Sequence, residues 1–180
     1  MTIQITDLEG VPNLARDWKA THIMSFLDPG EKLKRPWFVK PENHFQQFFI
    51  DNDDANSPFT ATRMQVEIAL DWACNNNIRD NHRCIIHCWG GVARSTAMAL
   101  SIWMQGRSKV SINDGVRWLE ETRPIFPAPN LVVAKHADDI LKLDGVLLEA
   151  AMRLGKIRFR KEHGIGEWTP NLKELGLIDD

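Results

Sequence analysis

Alternating and continuous apolar segments predict four β-strands. Residues 2–6 alternate apolar and polar positions, and residues 21–27 form an apolar run that the turn sequence Asp28-Pro29-Gly30 ends. A third strand is predicted over residues 44–50, with four apolar side chains as its contribution to the core: Phe45, Phe48, Phe49 and Ile50. The run Cys84-Ile85-Ile86 is typical of a strand that is buried on both faces.

Helical spacing of apolar residues predicts the remaining elements. In residues 60–75, Met64, Ile68 and Trp72 recur every four positions and are predicted to form one buried stripe. Residues 96–104 are apolar nearly all round, which indicates a helix buried on every side. Further helices are predicted over residues 11–18, 112–122, 131–143 and 145–154, the last one ended by Gly155.

Strands that alternate with helices favour a parallel sheet with crossover helices. We therefore expect a three-layer α/β fold, in which helices cover both faces of a central, mostly parallel sheet of about four strands. Residues 1–155 are predicted to form one domain, and residues 156–180 a C-terminal extension packed on that domain or peripheral to it. The basic run over residues 156–161 predicts a solvated surface, with a docking or dimer contact through Trp168 as the alternative.

Composition excludes several classes of function. Of the 180 residues, 43% are hydrophobic and 26% are charged, and the net charge is −2. This balance predicts no nucleic-acid and no acidic-membrane partner. No apolar run approaches the roughly 20 residues that span a membrane, and the N-terminal residues lack the features of a signal peptide. Cys84 and Cys88 are too far apart on an extended strand to form a disulfide, so a reducing cytoplasm is the predicted compartment.

The segment after the buried strand is predicted to bind an anion. Cys88 ends the strand, Gly90 and Gly91 permit a tight loop, and the buried helix follows at once. Backbone N–H groups of Trp89, Gly90, Gly91, Val92 and Ala93, with a helix N-terminus behind them, form a cradle for an anion. The guanidinium group of Arg94 could hold two oxygens of a phosphate.

The same loop is suited to nucleophilic catalysis by Cys88. A thiolate is the reactive form of cysteine, and a positive local field favours that form. Ser95 could donate its hydroxyl to the sulfur and assist its departure in a second step. Strand alternation turns His87 away from Cys88, so His87 is predicted to brace the loop rather than to attack a substrate.

The segment His87-Cys88-x5-Arg94-Ser95 resembles the signature of the cysteine-dependent protein tyrosine phosphatase superfamily, including its dual-specificity branch. The surrounding residues are most similar to small bacterial tyrosine-phosphatase-like proteins, which often have Trp after the cysteine. The resemblance covers roughly residues 20–154. It implies hydrolysis of a phosphate monoester through a phosphocysteine intermediate, without a metal or an organic cofactor.

The resemblance also implies a general acid on a loop 30 to 40 residues before the cysteine. Asp51, Asp53 and Asp54 lie 37, 35 and 34 residues before Cys88. Such an acid protonates the leaving group and then acts as a base on water. Asp51 is favoured because it directly follows the strand, with Asp53 and Asp54 as alternatives. The Trp-Pro-Asp triplet of the receptor-type enzymes is absent.

The sequence also permits functions other than thiolate catalysis on a phosphate monoester. A metal site built from His82, Cys84, His87 and Cys88 is disfavoured. Strand alternation places His82, Cys84 and Cys88 on one face, where they would spread over about 20 Å, too wide for one metal ion. A phosphate-binding module without catalytic activity is the main alternative. The resemblance implies that phosphatases acting on inositol lipids carry lysine in this loop. The absence of lysine here therefore favours a phosphotyrosine protein over phosphoinositides, with phosphoserine, phosphothreonine and small phosphate esters as further substrates. The oligomeric state is not predicted.

Overall fold

A computed structural model describes residues 2–78, 82–106, 111–123, 126–163 and 169–178. Four strands and six α-helices lie in these residues, with a 3₁₀ turn at Pro41–Asn43. In chain order they are β1 (Ile3–Thr6), α1 (Val11–Trp18), β2 (His22–Leu27), β3 (His44–Phe48), α2 (Arg63–Asn75), β4 (Cys84–His87), α3 (Arg94–Met104), α4 (Ile112–Thr122), α5 (Leu131–Leu141) and α6 (Val146–His163).

The four strands form one parallel sheet in the order β1-β4-β2-β3. Strand β4 is central, and all four of its residues are buried. In a parallel sheet the carboxyl ends of all strands meet at one edge. The segments that follow Thr6, Leu27, Phe48 and His87 therefore lie close together, and the predicted anion-binding loop is among them. The predicted α/β fold is confirmed.

Two hydrophobic clusters cover opposite faces of the sheet. Ile23 and Ile85 pack with Val11 and Ala15 of α1 on one face. The neighbouring residue Ile86 belongs to the larger cluster, which α2 to α6 form on the other face. Every residue of α3 is buried, as its apolar sequence predicts. This alternation along β4 produces the three layers.

The predicted core contribution of β3 and α2 is wrong in part. Phe48 and Ile50 remain 43% and 40% exposed, because β3 is an edge strand. Met64 and Ile68 are 69% and 47% exposed, so the predicted stripe is not the buried face of α2. The buried residues of this helix are instead Val66, Ala69, Leu70 and Ala73. These residues also recur with a helical period, but they lie on a different face of the helix from the predicted stripe. The small side chains of Ala69 and Ala73 let α2 approach its neighbours closely.

The predicted helix end at Gly155 is also wrong, because α6 continues to His163. A glycine inside a helix costs about 1 kcal/mol relative to alanine. Buried residues before it, including Leu147, Ala151 and Leu154, hold the helix against the core and offset that cost. The division between domain and extension after residue 155 stays a prediction. Trp168 lies outside the described residues.

Among the described residues, no helix combines the length and the apolar character that crossing a bilayer would require.

Candidate active site

The loop from Cys88 to Ala93 joins the end of β4 to the start of α3. The carbonyl groups of residues 89–93 accept hydrogen bonds from residues outside the loop. The donors are Leu8 N for Trp89 (3.0 Å), Arg123 Nη2 for Gly90 (3.1 Å), Arg123 Nε for Gly91 (3.0 Å), Ala128 N for Val92 (3.1 Å) and Asn130 N for Ala93 (3.2 Å). The carbonyl and N–H of one peptide plane point in opposite directions. The N–H groups of residues 90–94 therefore face the concave side of the loop, as an anion cradle requires.

Gly91 is the one loop position whose backbone demands glycine. Its φ is +64°, and a Cβ there would lie 2.5 Å from the carbonyl carbon and oxygen of Thr6. A Cβ on Gly90 would meet nothing closer than Val92 Cγ2 at 4.0 Å. Close contact with the end of β1 therefore requires glycine at position 91, whereas position 90 has room for a side chain.

Gly91→Ala is therefore expected to destabilise the fold and to abolish anion binding. A non-glycine residue in this conformation costs about 1–3 kcal/mol before the clash with Thr6 is counted. Gly90→Ala is the matched control and should keep wild-type properties. Thermal unfolding and tungstate binding measure both effects, and equal behaviour of the two variants would contradict the role of Gly91.

Cys88 lies at the base of the cradle, with its side chain directed toward Ser95. The two side-chain atoms, Sγ and Oγ, are 3.3 Å apart, and both residues are buried. Ser95 belongs to the first turn of α3, so the helix N-terminus also faces the sulfur. The structure brings together the two residues that the signature pairs.

Arg94 is held in place by the ends of two other strands. Its Nη1 donates to Asp28 Oδ1 at 2.6 Å and to the Phe49 carbonyl at 2.7 Å. Its Nε is buried and has no hydrogen-bond partner among the described residues. A buried donor without a partner is costly. An anion in the cradle would supply the missing acceptor.

Asp51 is the carboxylate of its loop that lies nearest to Arg94. Its Oδ1 accepts from Asn130 Nδ2 at 3.0 Å, and its Oδ2 lies 3.9 Å from Arg94 Nε. Burial raises the pKa of Asp51, and the negative charge of Asp28 adds to the rise, while Asn130 and Arg94 lower it. The net direction is upward, which favours the protonated form that a general acid needs.

Asp53 and Asp54 have different partners from Asp51. Asp53 Oδ1 accepts from the backbone N–H of Leu131 at 2.7 Å, so its carboxylate sits at the N-terminus of α5. Burial raises the pKa of Asp53, and the bond from Leu131 partly offsets that rise. Asp54 accepts from the backbone and side chain of Asn56, within its own turn. The N-terminus of α5 offsets the negative charge of Asp53, which would otherwise repel a phosphate.

The loop that carries these aspartates is tied to the C-terminal segment of the chain. Ala55 N donates to the Leu175 carbonyl at 2.9 Å, and Asn56 Nδ2 donates to the Glu174 carbonyl at 3.1 Å. Leu177 is only 2% exposed and joins the large core cluster. Residues 169–178 therefore help to set the position of the loop.

His87 contacts the backbone of the loop, and its bracing role stays a prediction. Its Nδ1 lies 3.3 Å from the Cys88 carbonyl oxygen, and its Nε2 lies 2.6 Å from Ser25 Oγ. Burial lowers the pKa of His87 to about 4, so the ring is neutral at pH 7.

The loop, Arg94 and the aspartates nearest to it line an open cleft of about 500 Å³. Cys88, Arg94 and the loop form one side, and three carboxylates from Asp28, Asp51 and Asp53 lie opposite or beside them. The side chain of Trp89 is 65% exposed at this cleft. Within the part of the chain that the structure describes, no three His, Cys, Asp or Glu side chains are grouped closely enough to hold a metal ion.

Sequence reasoning missed four residues that build this site: Ser25, Asp28, Arg123 and Asn130. In the sequence, Asp28 stands out only as part of a turn. It nevertheless follows β2 directly, much as Asp51 comes soon after β3. Its position at a strand end is a signal that could have found it. The role of Arg123, which holds two loop carbonyls and lies 3.6 Å from Asp7, depends on tertiary contacts alone.

Solved structures with the same architecture include several phosphatases. Human DUSP28 matches with a TM-score of 0.58 at 14% identity, over 79% of this chain and 89% of that chain. A mouse putative dual specificity phosphatase complexed with zinc tungstate matches with a TM-score of 0.58 at 16% identity, over 85% and 87% of the two chains. Human tyrosine phosphatase-like serine/threonine/tyrosine-interacting protein matches with a TM-score of 0.59 at 14% identity, over 79% and 92%.

Neither a protein-family model nor a curated protein matches the sequence significantly. At the identities found, the likeness to solved structures concerns the fold. The resemblance that the signature suggested is confirmed at the level of the fold by these matches. The chain therefore has the same fold as these solved phosphatase structures, among them human DUSP28 and the mouse putative dual specificity phosphatase.

Proposed function

We propose that this protein hydrolyses phosphate monoesters through a phosphocysteine intermediate. The observation that carries the proposal is the cradle itself. The five consecutive carbonyls of residues 89–93 accept hydrogen bonds from residues outside the loop, and the buried Nε of Arg94 has no hydrogen-bond partner among the described residues. The N–H groups of residues 90–94 and the Nε of Arg94 can together donate to three phosphate oxygens around Cys88. A phosphoryl group that is held in this way presents its phosphorus to the sulfur.

In the first step the thiolate of Cys88 attacks phosphorus, and the bond from phosphorus to the ester oxygen breaks. Negative charge moves to that oxygen, which takes a proton from the carboxylic acid of Asp51. The cradle and Arg94 stabilise the charge that the transferring phosphoryl group carries in the transition state. The products of this step are an alcohol or phenol and phosphocysteine.

In the second step a water molecule attacks the phosphorus of phosphocysteine. The carboxylate of Asp51 now accepts a proton from that water, and the bond between sulfur and phosphorus breaks. Ser95 donates its hydroxyl hydrogen bond to the departing thiolate, which lies within 3.3 Å of its oxygen. Inorganic phosphate leaves, and both Cys88 and Asp51 return to their starting forms.

A phosphorylated protein, and phosphotyrosine in particular, is the proposed substrate. The loop residues between Cys88 and Arg94 include no lysine that would favour a polyphosphorylated inositol. The exposed ring of Trp89 offers an aromatic surface beside the cradle for a phenyl phosphate. The thiolate chemistry fits a reducing compartment such as a bacterial cytoplasm.

Steady-state hydrolysis of p-nitrophenyl phosphate in the presence of EDTA tests this proposal. We expect turnover that survives EDTA and that tungstate inhibits competitively. Folded protein that binds tungstate without turnover would instead indicate a phosphate-binding module. Folded protein that neither turns over nor binds an oxyanion would overturn the interpretation of the loop.

A further inference from the structure

A chain of polar side chains crosses three neighbouring strands and ends on the carbonyl of Cys88. Nε2 of His44, on β3, lies 2.8 Å from Ser25 Oγ, and Ser25 Oγ lies 2.6 Å from Nε2 of His87. Nδ1 of His87 lies 3.3 Å from the Cys88 carbonyl oxygen. Ser25 and His87 are register partners in the β2–β4 pairing, and both are fully buried. The chain thus connects the β3 edge of the sheet to the backbone of the loop.

The last atom of this chain determines the direction of all three hydrogen bonds. A carbonyl oxygen only accepts, so Nδ1 of His87 carries the ring proton and donates to Cys88. A neutral ring with its proton on Nδ1 accepts at Nε2, so the Ser25 hydroxyl donates to His87. The Ser25 oxygen then accepts from Nε2–H of His44. Each donor and each acceptor in the chain is used once.

The protonation states of the two histidines agree with this direction. Burial lowers the pKa of His87 to about 4. The charges of His44 and Arg94 also lower this pKa, whereas the hydrogen bond to the Cys88 carbonyl and the charge of Asp7 raise it. Burial and the charge of Arg35 lower the pKa of His44 to about 4. Both rings are therefore neutral between pH 5 and 8. The hydrogen-bond direction does not change across that range.

We propose that Ser25 and His44 are positioning residues for Cys88, which act by holding the His87 ring with its Nδ1–H on the Cys88 carbonyl. The scaffold already holds the carbonyls of residues 89–93. The His87 contact extends this support to the first carbonyl of the loop, the one that belongs to the nucleophile. The effect on turnover rests on the proposed function, because the alignment of Cys88 matters for rate only if its sulfur attacks.

Loss of Ser25 or His44 removes or weakens the hydrogen bond that Nε2 of His87 accepts from Ser25. Without the Ser25 hydroxyl, Nε2 of His87 is left buried without a donor, which is costlier than losing a surface hydrogen bond. Without the N–H of His44, the Ser25 hydroxyl is free to rotate away from His87. In both cases the bond from Nδ1–H to Cys88 weakens, and the sulfur is less well aligned.

His44→Leu and His44→Gln are the decisive pair of variants, because His44 is only half buried on an edge strand and its replacement should not prevent folding. The glutamine amide restores an N–H donor near the position of Nε2, and leucine does not. Ser25→Ala and Ser25→Thr form the corresponding pair within the chain. Ser101→Ala is the matched control, since Ser101 is also a buried serine, bonded to the Ala97 carbonyl on α3.

Two readouts separate positioning from general stability. The first is the Nδ1 proton of His87 in NMR spectra, which should be slowly exchanging in the wild type and in His44→Gln but lost in His44→Leu and Ser25→Ala. The second is the rate at which iodoacetate alkylates Cys88, which should fall roughly five- to tenfold in the same two variants, the scale of one hydrogen bond. kcat should fall by the same factor while tungstate affinity stays constant.

Neither the NMR readout nor the alkylation rate needs turnover, so both remain decisive if the wild type proves inactive and the proposed function fails. Folded His44→Leu that keeps the protected proton and the wild-type alkylation rate would overturn the proposal. Equal losses in His44→Leu and His44→Gln would also overturn it, because the donor would then not matter. Should Ser25→Ala fail to fold, the His44 pair decides the question.

Discussion

Replacing Cys88 with serine is expected to abolish hydrolysis while leaving the oxyanion site intact. The serine hydroxyl is not ionised near neutral pH, so it is a poor nucleophile toward a phosphate ester. Loss of the nucleophile should reduce kcat by about 10⁴-fold or more. The cradle depends on backbone N–H groups and on Arg94, which the substitution does not touch. Hydrolysis of p-nitrophenyl phosphate and calorimetric titration with tungstate measure the two properties.

Cys74→Ser is the matched control for this variant. Cys74 is exposed and lies on α2, away from the cleft. Its replacement should leave both kcat and tungstate binding at wild-type levels. The third cysteine, Cys84, is fully buried, and burial raises the pKa of its thiol far above its usual range, so it cannot substitute as the nucleophile. Activity that persists in Cys88→Ser would rule out the thiolate mechanism.

Asp51→Asn is expected to lower kcat by about 10²–10⁴-fold, the usual contribution of a positioned general acid. The acid acts in its protonated form, so the first step slows as pH rises through the pKa of Asp51. Because burial raises that pKa, the wild type should keep its protonated acid to a higher pH than an exposed aspartate would. The alkaline limb of the kcat profile should therefore disappear in Asp51→Asn.

The leaving group gives a sharper measure of the same effect. p-Nitrophenolate leaves without much help from an acid, whereas an unsubstituted phenolate needs a proton. The loss in Asp51→Asn should therefore be larger with phenyl phosphate than with p-nitrophenyl phosphate. Equal losses with both esters would indicate that Asp51 positions Arg94 or the loop rather than donating a proton.

Asp53→Asn and Asp54→Asn complete the comparison. Asp53 accepts a hydrogen bond from the N-terminus of α5, so its loss should mainly reduce stability. Asp54 accepts bonds within its own turn, and its replacement should have little effect on kcat. If the alkaline limb disappears in Asp53→Asn instead, Asp53 is the acid and the assignment to Asp51 is wrong.

Local sequence was sufficient for the central part of the molecule. The run before Cys88, the glycine pair and the apolar stretch after Ser95 require a buried strand, a tight loop and a buried helix in that order. These are interactions between residues close in sequence, and the structure contains them as predicted. The predicted parallel α/β architecture follows from the same alternation of elements.

Local sequence was a poor guide where burial depends on which neighbours an element meets. Met64 and Ile68 are large and apolar, but α2 packs through Val66, Ala69, Leu70 and Ala73. Likewise, Gly155 is a frequent helix terminator, yet packing of α6 against the core carries the helix past it. At Gly155 the tertiary contacts outweigh a local preference of about 1 kcal/mol.

The sequence by itself determined the chemistry of the cradle, because the nucleophile, the loop and Arg94 lie within seven residues of one another. Only the tertiary structure decided what orients them. Asp28 and Phe49 hold Arg94, Asn130 holds Asp51, and Ser25 reaches Cys88 through His87. These partners are 45 to 79 residues apart in sequence. Asp28, Phe49 and Asp51 follow β2 and β3, and they meet Arg94 because parallel strands bring their carboxyl ends to one edge of the sheet. The pairing of strands creates this convergence, and no local pattern records it.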